Sequence, residues 1–440
     1  MLVGRDTELE QLQQVYKENR FQIVIIDGDS GNGKTALVRA WCQRKKAVWF
    51  TVQAVMPSCN VTLFQKEMEI QGIHGGFKEL AVRSMRENRI LVIEAAQRLE
   101  NYFPDFTDWL KQIITEPEAM RLMVIFVSSK SLSIRGMSMY QKKIHLDALT
   151  YIDSLPFFAQ FEPEEKLLLY GVTSGRPANL VKIPGHGSIR EIMQTFFLGS
   201  DALFQNEGER RPREFVREPK IYHTILMAVA SGLYHMQEVA AAIGMEPNKL
   251  SKYMKILVQL GFLEREVPAD ELQSLKQHRK TLYRFSDTQL LFWYRFVCPY
   301  AGSIDAGRGM VYWKDIQSQL HMYLAEVFDR VSIQFAYLIC EKRDLGGCSP
   351  SFGFLWEDGF SWDRVTHLSV GKEKNCLVTC FWSKHKVDVP EIQMFLERHP
   401  TPKDKIQNIL IFSRKGFTDR ALVYSSESSN VRLVSLVYIR

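Results

Sequence analysis

The chain has 440 residues, of which 46% are hydrophobic and 24% charged, the composition of an ordinary soluble protein, and it carries a formal net charge of +6. That length exceeds what one hydrophobic core serves, so about two to four domains are expected. The mildly basic balance permits a nucleic-acid partner without requiring one, and the longest apolar runs, such as IVII and LMVIFV, are strand-length, well short of the roughly 18 to 20 residues of a membrane span.

Seven cysteines are scattered along a chain whose start, MLVGRDTELE, lacks the basic-then-apolar pattern of a secretory signal. A reducing, cytoplasmic setting is the resulting expectation. Neither Cys340 with Cys348 nor Cys376 with Cys380 has the two-residue gap of common zinc sites, and CLVTC lies in a strand-like run. Buried thiols are the plainer reading.

From Gln22 to about Pro156 the pattern alternates: IVIID, the helical TALVRAWCQRK, AVWFTV, a long helical stretch, RILVIEA, a further helix and RLMVIFVSS. Short apolar runs separated by helix-length segments predict a doubly wound α/β domain with a parallel sheet over residues 1–148. Helical segments follow over 149–204, and QNEGERRPREFVREP at 205–219 reads as a linker. Over 220–300 three helices in close succession, broken at Gly232 and Gly244, precede the strand-like FLEREV and TLYRFSD, which predicts a winged helix-turn-helix. The last stretch, 301–440, reads as α/β again, with strands in FGFLWEDGFSWDRVTHLSV, NCLVTCFWS, IQNILIFSR and VRLVSLVYI and a helix in VPEIQMFLERH.

Gly28-Asp29-Ser30-Gly31-Asn32-Gly33-Lys34-Thr35 satisfies the GxxxxGK[ST] spacing between a strand and a helix. Glycines allow the backbone N–H groups to curl around phosphate oxygens, and the following helix adds the positive end of its dipole. ATP is the expected ligand, with Lys34 reaching the β and γ phosphates and Thr35 ligating Mg²⁺. A second strand in such proteins ends in an acidic pair, one carboxylate for Mg²⁺ and the next for the attacking water. Here the run is Ile93-Glu94-Ala95. Glu94 is either the metal carboxylate, and the candidate catalytic residue, or a solvated strand-end group; Ala95 offers no proton chemistry, so hydrolysis is expected to be slow or absent. Ser128 and Ser129, after the next strand, either sense the γ-phosphate or close a turn.

With these pieces in order, the chain resembles the archaeal-type ATPase family of AAA+/STAND P-loop proteins, in which a nucleotide-binding module precedes a winged helix and a restriction-nuclease-like domain of unknown function. MLVGRDTELEQL looks like the family's entry motif, here Gly4, Arg5, Glu8 and Leu9. TSGRPANL resembles its lid motif, which implies that 149–204 is a helical lid and that Gly175 and Pro177 lie near the base and ribose. LYRFSDTQLLFWYRFV is similar to its tyrosine-bearing strand, Asp and aromatic helix. Where the family carries an Arg-Arg fork, this chain has Met139-Tyr140-Gln141-Lys142-Lys143, so Lys142 would supply charge without bidentate geometry. In the C-terminal domain Glu326 and Asp363 resemble the first two acidic positions of the nucleases, but Thr379-Cys380-Phe381-Trp382 stands in place of Glu-x-Lys. Phosphodiester cleavage is therefore not expected there, and a packing or partner-binding role is.

In the winged-helix region Leu250, Met254 and Leu257 share one helical face and are expected in the core. Lys249, Lys252 and Lys255 project elsewhere, with Asn248, and Lys276, Arg279 and Lys280 follow in the wing. This is a candidate DNA face, although solvated lysines on a protein-packing module fit equally. Arg210, Arg211, Arg213 and Arg217 either add to it or form a charged hinge. The leading expectation is an ATP-binding switch with weak hydrolysis, acting on a protein partner or by self-association, without a membrane anchor. The alternatives are a competent ATPase and a DNA-binding regulator with a vestigial nucleotide site.

Overall fold

Three of the four apolar runs of the first third form strands buried on both faces, the fourth, AVWFTV, is fully buried on one face only, and alternate residues of each strand enter different cores. The computed structural model describes residues 2–70, 72, 90–114, 122–213, 218–266, 281–342, 351–355, 365–370, 374–398 and 406–439. Strands β1 (Gln22–Asp27), β2 (Ala47–Thr51), β3 (Ile90–Glu94), β4 (Met123–Val127) and β5 (Gln141–His145) make one sheet in the order β2-β3-β4-β1-β5, with every pairing parallel. Ile23, Ile25, Leu91, Ile93, Val124 and Phe126 face a core with Phe64, Phe103 and Phe106. Val24, Ile26, Ile90, Val92 and Ile125 face the other, with Leu12, Leu37, Val38 and Trp41. Each such side chain contributes about 1.5–3 kcal/mol when fully buried. Because β4 lies between β1 and β3, the carboxyl ends of these three strands are neighbours, the location where open α/β sheets place their ligands.

The chain divides into two compact units, Met1–Leu149 with Gly175–Lys182, and Thr150–Ser174 with Ile183–Arg440. The segment 149–204, expected as one lid, is thus shared between them. In the first unit the Ala178 N–H donates to the Gly31 carbonyl at 3.1 Å, which seats the 175–182 segment on the glycine loop.

The second unit carries the helices Pro219–Ala230, Met236–Ile243 and Pro247–Gln259, followed by β6 (Leu263–Glu266) and β7 (Leu282–Phe285), an antiparallel pair. The middle helix stops at Gly244, whose φ of 64° is the left-handed geometry glycine supplies at a helix end. Beyond the 30-residue helix Trp313–Lys342, strands β8 (Ser351–Leu355), β9 (Val365–Val370), β10 (Lys374–Phe381), β11 (Ile406–Ser413) and β12 (Val431–Ser435) form a second sheet. Its order is β12-β11-β10-β9-β8, parallel from β10 to β12 and antiparallel from β8 to β10. Helices Val389–Arg398 and Asp419–Glu427 accompany it.

Part of 205–219, the stretch expected as a linker, is folded. Residues Glu207–Arg213 are helical, with Gly208 and Pro212 buried, and a Cβ at Gly208 would stand 2.0 Å from the Trp293 ring. The Trp293 indole N–H donates to the Gln205 carbonyl and the Tyr294 hydroxyl to the Gly208 carbonyl at 2.9 Å. The charges that suggested a hinge are used within the fold: Arg210 pairs with Glu207 at 2.8 Å, Arg213 with Glu209 at 2.9 Å, and Arg211 with Asp287. Arg217 lies outside the described residues. Asp287 is a buried node, since its carboxylate also accepts from the Ser174 hydroxyl and caps the Thr288–Phe292 helix through the N–H groups of Gln289 and Leu290.

Candidate functional site

The glycine loop leaves β1 at its carboxyl end. Gly28, Gly31 and Gly33 have φ of 132°, 90° and 87°. Only glycine adopts such angles readily. At Gly28 the requirement is doubled, because a Cβ would fall 2.2 Å from the Leu146 carbonyl oxygen. The loop is propped from below: the Asn32 amide donates to the Leu146 carbonyl at 2.8 Å, and Arg5, itself paired with Glu8 at 3.0 Å, donates to the carbonyls of Asn32 at 3.0 Å and of Asp147. From above, the Pro177 ring lies 3.6 Å from where a Gly33 side chain would begin. Asp29 and Ser30 are exposed at the loop's tip, and Thr35 is half-buried in the first turn of the following helix.

Lys34 is buried, and its ammonium donates to the carbonyls of Gly28 and Asp29, both at 2.7 Å. Burial lowers its pKa, opposed by the charges of Asp29 and Asp27. The cation therefore sits inside the ring formed by its own loop. Beneath, His145 Nδ1 and Asp27 Oδ1 are 2.6 Å apart, and this hydrogen bond, helped by Asp147, raises the His145 pKa despite partial burial.

At the end of β3, Glu94 Oε2 accepts from the Thr51 hydroxyl at 3.2 Å, whereas Oε1 is buried with no partner among the described residues. An orphaned carboxylate oxygen fits a site for a cation or its bound water. Glu94 also borders a cavity of about 790 Å³ with Arg39, Trp49, Leu63 and Glu67, on the side of β2. Ala95 holds φ 53°, a left-handed turn that starts the short 3₁₀ segment Ala96–Arg98. Ser128 is consumed by its own turn, donating to the Lys130 carbonyl at 2.6 Å. The Ser129 N–H donates to Gln97 Oε1 at 3.2 Å.

Gly28 to Thr35, Pro177, Glu94 and Ser129 thus lie at or beside the carboxyl ends of β1, β3 and β4. Lys142 does not join them. It is exposed and pairs in register with Val24, three residues before Asp27, which sets it about 10 Å back from the strand end. The strand-end position of β5 belongs to His145 instead. Sequence reasoning missed His145 and Gln97, which no motif marks; Arg5 was visible only as part of the entry motif.

In the second unit Leu250, Met254 and Leu257 are fully buried, and Lys249, Lys252 and Lys255 are exposed on the same helix. A groove of about 730 Å³ runs between that helix and the hairpin, lined by Asn248, Ser251, Lys255, Arg265 and Tyr283. Lys276, Arg279 and Lys280 lie outside the described residues. Glu326 is held by Arg295 at 2.8 Å and by the Tyr234 hydroxyl at 3.2 Å, an ion pair that occupies the carboxylate. Asp363 lies outside the described residues, and Cys380 Sγ contacts Asp329 at 3.7 Å. Among the described residues no group of three His, Cys, Asp or Glu side chains converges on a metal position, and no helix is long and apolar enough to cross a membrane.

Fold and site together define an α/β protein whose five-stranded parallel sheet presents a GxxxxGKT loop at a strand end. A family described as archaeal and bacterial proteins of unknown function, DUF234, matches residues 293–392. The uncharacterized protein MJECL04 of Methanocaldococcus jannaschii is 23% identical over 412 residues, spanning 90% of this chain and 91% of the relative. Among solved structures, the Walker-type ATPase PABY2304 of Pyrococcus abyssi is similar with a TM-score of 0.44 and 11% identity, over 67% of this chain and 96% of that one. The Thermotoga maritima RuvB Holliday junction branch migration motor is similar with a TM-score of 0.36 and 15% identity, over 60% and 90%. The Aeropyrum pernix ORC1 protein, solved in complex with DNA, gives 0.32 and 14%, over 70% and 94%.

Proposed function

We propose that this chain is an ATP-binding switch of the AAA+/STAND type that hydrolyses its nucleotide slowly or not at all. The observation that carries the proposal is the glycine loop, with three residues in left-handed geometry, a buried lysine inside and a helix N-terminus behind it. Gly28 to Lys34 would hold the phosphates, Thr35 and Glu94 the Mg²⁺, and Pro177 and the segment around it the remainder of the nucleotide. Bound Mg²⁺ would neutralise phosphate charge. Ala95 provides no base, and Lys142 stands away from the strand ends, so both groups that would speed phosphoryl transfer are missing.

Switching needs a nucleotide that favours one arrangement of the units over another. The chain itself provides the link. Ser174, which directly precedes the loop-seated segment 175–182, is tied through its hydroxyl to Asp287 and, at 3.1 Å, to Thr288. In this reading the three helices and hairpin of 220–300 are a winged helix-turn-helix, and 301–440 is a nuclease-like domain whose acidic site has become an ion pair. Steady-state hydrolysis is expected well below about 1 s⁻¹, a conventional enzyme rate; turnover above it, with affinity intact, contradicts the proposal.

The exposure of Lys249, Lys252 and Lys255 favours a second reading for the same helix, contact with DNA phosphates. Replacing all three by glutamine is then expected to weaken duplex binding and to flatten its salt dependence by about three ions' worth. Salt-insensitive binding, or none in the wild type, removes this reading.

A further inference from the structure

The end of β4 lies beside β1, where the polar group nearest a terminal phosphate is expected. Of the two hydroxyls that the sequence places there, Ser128 and Ser129, that of Ser128 is turned back: it donates to the Lys130 carbonyl at 2.6 Å and accepts the Lys130 N–H at 3.2 Å. Another side chain reaches the position. The left-handed turn at Ala95 bends the chain sideways after β3, and the 3₁₀ segment Ala96–Arg98 carries Gln97 across to β4, where its Oε1 accepts the Ser129 N–H at 3.2 Å. The segment is pinned on both sides of Gln97, by Ala96 in the core and by Arg98, which donates to the Val52 carbonyl at 3.2 Å.

A backbone N–H can only meet the oxygen of a carboxamide, so the orientation of Gln97 is determined. The oxygen is committed to Ser129, and the NH₂ group has no partner among the described residues. We infer that Gln97 is the residue that distinguishes a nucleoside triphosphate from a diphosphate, offering its NH₂ donors to the terminal phosphate at the end of β4. The inference rests on the nucleotide reading above. A carboxamide bonds a phosphate oxygen without taking a proton, so it would sense the third phosphate while leaving hydrolysis slow.

Calorimetric titration of the full chain with ATP and with ADP, each with Mg²⁺, tests this in the wild type, Gln97→Ala and Gln97→Glu. Gln97→Ala is expected to weaken ATP binding about tenfold or more, the scale of one hydrogen bond to a charged group, and to leave ADP binding within about twofold. Gln97→Glu should weaken ATP binding further, by setting a carboxylate against the phosphate, and spare ADP. Equal losses for both nucleotides would show a merely structural turn and overturn the inference, as would an unchanged preference. Either of those results leaves the nucleotide reading standing, whereas a wild type that binds neither nucleotide overturns both.

Discussion

Substituting Ala95 by Glu is expected to raise ATP turnover by about 10²-fold, with nucleotide affinity little changed. General base catalysis contributes roughly 10²- to 10⁴-fold, and the lower end applies because Lys142 is displaced from the strand ends. The backbone accepts the change. Ala95 already bears the cost of a left-handed residue at φ 53°, about 1–2 kcal/mol, so glutamate adds little strain. The position directly follows Glu94, as the second carboxylate of an acidic pair does. Steady-state phosphate release by the wild type and the variant checks this. Unchanged turnover in a variant that still binds ATP would mean that the missing carboxylate is not what limits hydrolysis.

Gly28→Ala is expected to abolish the site. The methyl group would meet the Leu146 carbonyl at 2.2 Å, and φ 132° is closed to an L-residue, so either the loop or the chain after β5 must move. Strain of this kind costs about 3 kcal/mol, or roughly 10²-fold in affinity if it falls on the loop alone. Asn32 and Arg5 would lose register as well, since both reach carbonyls of the same 146–147 segment. Gly232→Ala is the control, because it also has a positive φ, 102°, but opens onto space. Thermal unfolding and ATP titration of the two variants should differ sharply. Equal behaviour would show that the loop adapts to a side chain.

The sheet was legible where apolar residues run continuously. IVIID, AVWFTV, RILVIEA and RLMVIFVSS read as strands because continuous apolar runs have few other uses, and the loop was legible because its spacing is a stereochemical requirement. β5 was not. In QKKIH only Ile144 is buried, so an edge strand with one inward residue carries no pattern to read. Helix Asp419–Glu427 escaped for the same reason, Ala421 being its one fully buried residue. Within 205–219 the charges of Arg210, Arg211 and Arg213 are paired within the fold, and the contact that orders Glu207–Arg213 is a glycine beneath Trp293, visible only in three dimensions. The pairing of His145 with Asp27 and of Gln97 with Ser129 depends on strand order. Period and composition do not encode which parallel strands are neighbours, so neither pair was visible in the sequence.

The proposal depends most on the loop as a working phosphate cradle. Titrating the full chain with ATP and Mg²⁺ by calorimetry, alongside Lys34→Ala, measures that directly. The account predicts saturable binding by the wild type and a loss of about 10²-fold or more in the variant, because the buried ammonium at the loop's centre is its one full positive charge. Binding that is absent in the wild type, or that survives removal of Lys34 undiminished, would contradict it.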